Sequence, residues 1–263
     1  GWQVRRRGCG EISEARGSRM RVESKPCDDC GKVVERELPE GPFAHLLDGH
    51  RVLCVGCMDR ESREDEAAAE AVEAERQARV IDKRTRALDL PDAYAEASLA
   101  GGVSQHVQVA CHDWATGKTN GLVLTGAFGV GKTYAAAAAA RLMVERRPCR
   151  WVSAPLLMAR LGSGLDSKQR QWAVDTLTDE RTALVLDDLD KTRPTAYGAE
   201  QMFLAVDVST SENRPLLITT NLSLDQLAGH FPDPYGEALV SRLVEFCTVV
   251  KLEGADRRLG AVA

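Results

Sequence analysis

For most of this 263-residue chain the sequence predicts a three-layer α/β domain built around a parallel sheet. A small cysteine-bearing module and a linker helix are expected to precede it. Three observations lead there. From about residue 92 onward, short apolar runs alternate with helical stretches, as expected for strands buried on both faces and joined by helices. One of those runs passes directly into a glycine-rich turn and a helix. Upstream, the first 60 residues carry two CxxC pairs and little periodic apolar pattern, too little for a self-sufficient core. At about 150 residues per domain, the length suits one full domain plus an appendage. The expected boundaries are residues 1–60 for the module, 61–90 for the helix and 91–263 for the α/β domain.

Within the module, Cys27-Asp-Asp-Cys30 is followed after 23 residues by Cys54-Val-Gly-Cys57. Each CxxC turn presents two thiolates, and two such turns complete a tetrahedron with no open position, the arrangement of a structural Zn²⁺ site. Metal binding would supply folding energy that so short a segment lacks. Gly31 and Gly56 fall where tight knuckle turns favour glycine, and His45 and His50 are the possible substitute ligands. Lys32-Val33-Val34 and Arg51-Val52-Leu53 read as short strand pieces. Cys9, Cys111, Cys149 and Cys247 have no partner in sequence and read as inert thiols.

Residues 61–88 are rich in Ala, Glu and Arg and lack Gly and Pro, so a helix is expected. Its acidic residues come early and its basic ones late, which suits the helix dipole. Its thin apolar stripe reads as a solvated connection, with a coiled-coil or partner-binding helix as the alternative. Leu90-Pro91 ends it. The strand candidates that follow are Gly121 to Thr125, Arg150 to Ser153, Ala183 to Leu186, Pro215 to Thr219 and Thr248 to Leu252. Helices are expected over Lys132 to Arg147, parts of 154–180, Tyr197 to Glu212 and Leu224 to Leu243.

Gly126-Ala127-Phe128-Gly129-Val130-Gly131-Lys132-Thr133 satisfies GxxxxGK[ST] between a strand and a helix. Glycines let the backbone wrap phosphates, and the N–H groups at the helix start point at them. Lys132 would reach the β and γ oxygens of ATP, and the Thr133 hydroxyl would ligate Mg²⁺. The run Ala-Leu-Val-Leu-Asp187-Asp188-Leu-Asp190 supplies the second half of such a site. Asp187 at the strand end would hold the Mg²⁺ shell, and Asp188 could deprotonate the attacking water. Asn221, at the end of Pro-Leu-Leu-Ile-Thr-Thr, reads equally as a water-holding amide or as a helix cap. Arg242, among apolar neighbours in Ala-Leu-Val-Ser-Arg-Leu, reads on residue type alone as a surface ion pair or a functional cation.

In this order and at these separations, GAFGVGKT, ALVLDDLD, LLITTNLS and ALVSRL resemble the DnaC/DnaI-like and IstB-like branch of the AAA+ ATPases. The resemblance covers roughly residues 90–260. It implies a sheet in strand order 5-1-4-3-2, self-association and nucleotide at subunit interfaces. It puts Asn221 at the sensor-1 position and Arg242 at the arginine finger, which acts on the neighbouring subunit's nucleotide. In the tail Gly-Ala-Asp-Arg-Arg-Leu it puts Arg258 at the sensor-2 position, with Asp256 replacing the usual Ser and Arg257 as the competing arginine. Residues 154–180 fall where the branch carries a helix near its DNA channel, which makes Lys168 and Arg170 candidate phosphate contacts, solvated surface being the alternative.

The activity the resemblance implies is ATP-dependent loading of a hexameric, DnaB-type replicative helicase onto single-stranded DNA. One alternative is an IstB-like transposition helper acting with a transposase on duplex DNA. The other is a nucleotide-dependent zinc adaptor with little turnover. The two zinc knuckles favour the loader. Composition sets limits on any DNA contact: Lys and Arg number 34 against 39 Asp and Glu, so basic charge must be local. No run reaches the roughly 18 to 20 apolar residues of a membrane span. The opening Gly-Trp-Gln-Val-Arg-Arg-Arg has no apolar stretch behind it and does not read as an export signal. With paired CxxC motifs, this predicts a reducing, cytoplasmic setting.

Overall fold

Strand alternation explains how the main sheet supports two separate cores. In β3 (Gly121–Gly126), Leu122 and Leu124 pack into one cluster while Val123, between them, packs into another on the opposite face. The same division runs through β5 (Ala183–Asp187), where Val185 faces one side and Leu184 and Leu186 the other. The computed structural model describes residues 20–39, 51–100, 103–162, 167–191 and 193–256. They form two units, Gly1–Arg76 and Gln77–Ala263, and helix α1 (Val55–Ala87) contributes residues to each.

In the second unit, five parallel strands lie in the order β4 (Cys149–Ser153), β5, β6 (Leu216–Thr220), β3 and β7 (Cys247–Leu252). Numbered from β3, this is 5-1-4-3-2, the order the resemblance implies. The expected strands all form, each within a residue of its expected ends. The end of α1, α2 (Gln105–Thr116) and α3 (Lys132–Arg146) cover one face. The other is covered by α4 (Ala154–Leu161), α5 (Ser167–Thr178), α6 (Ala196–Ser211), α7 (Leu224–Ala228) and α8 (Tyr235–Phe246).

Helix α3 is buried between sheet and α2 all along its six-alanine run, Ala135 to Ala140, none of which is more than 2% exposed. Side chains this short let the helix lie close against the strands. At the end of the sheet remote from the alanine helix start, Arg214 is fully buried, and its guanidinium donates to the carbonyls of Thr176, Leu177 and Thr182. Burial brings its pKa down to about 10, still charged at neutral pH, and the three carbonyls satisfy it. The arginine thereby ties the end of α5 to the start of β6.

Two expectations about helices need correction. The helix expected over Leu224 to Leu243 is broken into α7 and α8. Pro232 and Pro234 lie in the break, and proline has no N–H to continue a helix. The linker helix begins at Val55 rather than 61, so its first turn holds no acidic residue, and the expected match of early acids to the dipole is absent. The basic end stands, with Arg84 and Arg86 in the last turn.

In the first unit, β1 (Met20–Pro26) pairs antiparallel with β2 (Val33–Pro39), and Glu23 faces Arg36 across the pair at 2.7 Å. β1 was not anticipated, because Arg-Val-Glu-Ser-Lys carries a single apolar residue. Residues 51–53 are not a strand; Val52 accepts from the Asp28 N–H and donates its own to the Asp28 carboxylate. Among the described residues, no helix is long and apolar enough to cross a membrane.

Candidate functional site

β3, β5 and β6 are adjacent and parallel, so their carboxyl ends deliver the predicted residues to one edge of the sheet. After β3 the chain turns through Gly126, Gly129 and Gly131, whose φ angles of 145°, 75° and 100° disfavour any side chain. A Cβ at Gly126 would also stand 2.3 Å from the Leu252 carbonyl oxygen. Ala127 and Phe128 cross the outside of the turn, Phe128 being 62% exposed, whereas Val130 is buried.

Lys132 opens α3 and is only 5% exposed. Its Nζ donates to the carbonyls of Gly126 at 2.9 Å and Ala127 at 2.7 Å, and to Asn221 Oδ1 at 2.7 Å. Burial lowers its pKa from the ordinary lysine value, although Asp190, Asp188 and Asp187 pull against that change. Three oxygen acceptors thus hold the ammonium at the glycine turn.

Asp187, at the end of β5, accepts from Thr219 Oγ1 at 2.6 Å and hydrogen-bonds the Thr133 hydroxyl. Burial raises its pKa, with the neighbouring Asp188 adding to the effect and the threonine bonds opposing it. A buried carboxylate beside a threonine hydroxyl, its pKa raised by burial, suits a hard divalent cation such as Mg²⁺. Asp188 follows with φ 59°, its N–H donating to Thr219 Oγ1 at 2.9 Å and its carboxylate paired with Lys191.

Asn221 is reached from two sides. Its Oδ1 accepts from Lys132, while its Nδ2 and backbone N–H each donate to Asp190 at 2.7 Å. Thr220 Oγ1 donates to the same carboxylate at 2.9 Å. Burial works against the charge of Asp190, but the bonds from Asn221 and Thr220 outweigh it and hold its pKa low. Asn221 does not cap α7; Ser223 does, in a capping box with Gln226.

Sequence reasoning gave no role to Asp190, Lys191, Thr219 or Thr220. The signals were present: a third acid three residues after Asp187, and a polar Thr-Thr ending an apolar strand. Arg242, on α8, ion-pairs with Asp207 and Glu245 at 3.3 Å each and is not brought to Lys132 by any contact among the described residues. Arg257 and Arg258 lie outside the described residues, while Asp256 packs so closely that a Cβ on Gly129 would overlap its carboxylate. Lys168 is exposed, and Arg170 Nε is buried without a hydrogen-bond acceptor. Beside them Arg160 lies 4.1 Å over the Trp172 ring, a contact not anticipated from sequence.

In the first unit the Sγ atoms of Cys27, Cys30, Cys54 and Cys57 all lie within 4.8 Å of one another, with Cys30 and Cys54 at 3.5 Å. Four thiolates about 2.3 Å from one Zn²⁺ would be separated by about 3.8 Å, so the cluster fits a closed tetrahedral site. The two CxxC turns differ. Gly31 has φ 74°, which favours glycine, whereas Gly56 is helical, so the expected need for glycine there is not met. The Cys54 N–H donates to Cys27 Sγ at 3.3 Å, and Arg60 approaches Cys57 Sγ at 3.9 Å. His45, His50 and Cys9 lie outside the described residues. Burial pushes the thiols of Cys111, Cys149 and Cys247 up to about 12, as suits inert thiols.

Comparison with known proteins fits this geometry. The chain is 28% identical over 153 residues to the replicative helicase loader DnaI of Bacillus subtilis (strain 168), covering 54% of this chain and 49% of DnaI. It is 25% identical over 139 residues to an ATP-binding protein in an insertion sequence of Mycobacterium tuberculosis (strain ATCC 25618 / H37Rv), covering 52% of this chain and 55% of that one. The chain thus spans about half the length of the curated relatives it matches. A crystal structure of DnaI superposes with a TM-score of 0.55 at 25% identity, over 66% of this chain and all of that one. A family profile described as IstB-like ATP binding protein matches residues 67–261, more than half of the chain. With that match laid over a sheet in the expected order and a lysine-bearing glycine turn at its edge, the chain belongs to the IstB-like ATP-binding proteins, in the DnaC/IstB-like branch of the AAA+ proteins.

Proposed function

We propose that this chain is an ATP-hydrolysing loader that places a hexameric, DnaB-type replicative helicase on single-stranded DNA. The observation that carries the reading is the convergence of Lys132, Asn221, Asp187 and Thr133 at one sheet edge, in a chain similar to DnaI. Gly126 to Thr133 hold the triphosphate, Lys132 giving up its carbonyl partners for the β and γ oxygens. Thr133 and Asp187 would hold Mg²⁺, which when bound offsets charge on the β and γ oxygens. Asp188 accepts a proton as the water oxygen bonds to the γ-phosphorus and the bridging P–O bond breaks, its electron pair leaving with ADP. Asn221 orients that water. Arg242 exchanges its ion pairs for the γ-phosphate of a neighbouring subunit.

The division of labour is a Zn²⁺ module over residues 1–60, held by Cys27, Cys30, Cys54 and Cys57, that grips the helicase. A linker follows over 61–90 and a motor over 91–263 that self-associates on DNA. Arg258 completes the nucleotide site. The cytoplasm suits the free thiols this site requires.

The second reading, an ATPase that assists a transposase on duplex DNA, is favoured by the insertion-sequence relative and the IstB-like family profile. Affinity capture by the full chain with ATP separates the two. Retention of a purified DnaB-type hexamer, with protection of single-stranded DNA, is expected. Retention of a purified transposase in its place, on duplex DNA, would overturn the loader.

A further inference from the structure

Asp190 belongs to no part of the mechanism above, yet it fixes the residue that handles the water. It sits in the one-turn 3₁₀ helix Leu189–Lys191, anchored by Leu189, which is 2% exposed. One carboxylate oxygen accepts from the Asn221 N–H and from Thr220 Oγ1; the other accepts from Asn221 Nδ2. The amide's orientation follows from chemistry alone. Were it reversed, an NH₂ group would face the Lys132 ammonium and a carbonyl oxygen would face a carboxylate.

We infer that Asp190 is a positioning residue that fixes the Asn221 carbonyl oxygen toward Lys132 and the phosphates, so that Asn221 acts on the attacking water as a hydrogen-bond acceptor and not on the γ-phosphate as a donor. This rests on the nucleotide-site reading above. Before nucleotide arrives, Oδ1 is occupied by Lys132. When the ammonium moves to phosphate, Oδ1 is freed and Asp190 keeps it aimed at the site. One O–H of the water then points to Asn221 and the other to Asp188, which leaves an oxygen lone pair for phosphorus.

Two substitutions distinguish this from a role in folding. In Asp190→Asn the new amide would oppose Asn221 Nδ2 donor to donor and turn the Asn221 amide over. In Asp190→Ala the amide is merely released. The isosteric change should therefore be the worse one: kcat falls by about tenfold or more in Asp190→Asn and about threefold in Asp190→Ala. Both variants should bind a non-hydrolysable ATP analogue at least as tightly as wild type, because a carboxylate near the phosphates is gone. A purely structural role gives the reverse order, with Ala worse and melting temperature falling in step. That order, or wild-type kcat in either variant, would overturn the inference. If Asp190→Asn does not fold, Asp190→Ala is compared in wild-type and Asn221→Ala backgrounds. No further loss of kcat in the second is expected, and losses that multiply would overturn it. A readout independent of turnover is the Asn221 side-chain amide in nitrogen-resolved NMR, slow to exchange in wild type and fast in Asp190→Ala; equal exchange in both would also overturn it. Failure of the wild-type protein to bind the analogue at all would instead remove the nucleotide site on which the inference rests.

Discussion

Lys132 Nζ lies 2.7 Å from Asn221 Oδ1, joining the first residue of α3 to the loop after β6 across 89 positions of sequence. The bond places in one site the cation proposed to bind phosphate and the amide proposed to orient water. Asp187 and Asp188 complete the same edge from β5, so substitutions there should separate binding from chemistry.

Asp188→Asn keeps the shape of the side chain and removes the proton acceptor. Steady-state ATP hydrolysis should fall by about 10²-fold or more while affinity for a fluorescent ATP analogue changes by less than about threefold. Equal turnover in the two proteins would leave Asp188 without the role of base and favour a slow nucleotide-dependent adaptor.

Asp187 carries a pKa raised by burial, and the sign of its effect on stability follows. Because the folded protein holds this proton more tightly than the unfolded chain, stability declines as pH rises from the ordinary value of 3.8 through the higher folded value. Above the folded value the full penalty is in force. Asp187→Asn should therefore raise the melting temperature of the nucleotide-free protein near pH 7, with the gain vanishing below about the ordinary value. The same variant should lose Mg²⁺-dependent nucleotide binding. A lower melting temperature at pH 7 would show that the bonds to Thr219 and Thr133 outweigh the burial cost.

Arg242→Ala should retain ATP binding within about twofold and lose hydrolysis by about 10³-fold, the scale of an arginine acting on transition-state charge. Mixing it with Lys132→Ala subunits, whose own site is empty but whose Arg242 is intact, should restore part of the activity. No restoration in mixed assemblies would mean that the arginine does not act across a subunit boundary and serves only its ion pairs with Asp207 and Glu245.

Removing metal with a strong chelator should abolish the β1–β2 structure and expose four titratable thiols, since structural Zn²⁺ typically contributes about 10–16 kcal/mol of binding free energy to folding. Far-UV circular dichroism and thiol titration report the change, and the main melting transition should remain. Retention of the hairpin after complete metal loss would show that Leu38, Val52 and the Glu23–Arg36 pair suffice to hold it.

The parallel sheet was legible because its central strands, β3, β5 and β6, are covered on both faces and read as unbroken apolar runs such as Leu-Val-Leu or Leu-Leu-Ile. The glycine turn, Lys132 and the aspartate pair were legible because their chemistry dictates residue type and spacing. What escaped has physical reasons too. β1 is stabilised by cross-strand pairing, which leaves no periodic mark in Arg-Val-Glu-Ser-Lys. The split of α7 from α8 was written in Pro232 and Pro234 but masked by apolar residues on either side. Asp190 escaped because its contact with Asn221 depends on the 3₁₀ turn after β5, which neither residue type nor spacing marks. Only the order β5–β6–β3 brings its carboxylate to Asn221 and, through that amide, to Lys132.

The alanine run of α3 carries a mechanical consequence. A helix seated by single methyl groups has almost no side-chain length through which to tilt or slide, so Lys132 and Thr133 are fixed to the strands as rigidly as the backbone allows. A single bulkier residue at the middle of the run would push α3 off the strands and carry Lys132 and Thr133 with it.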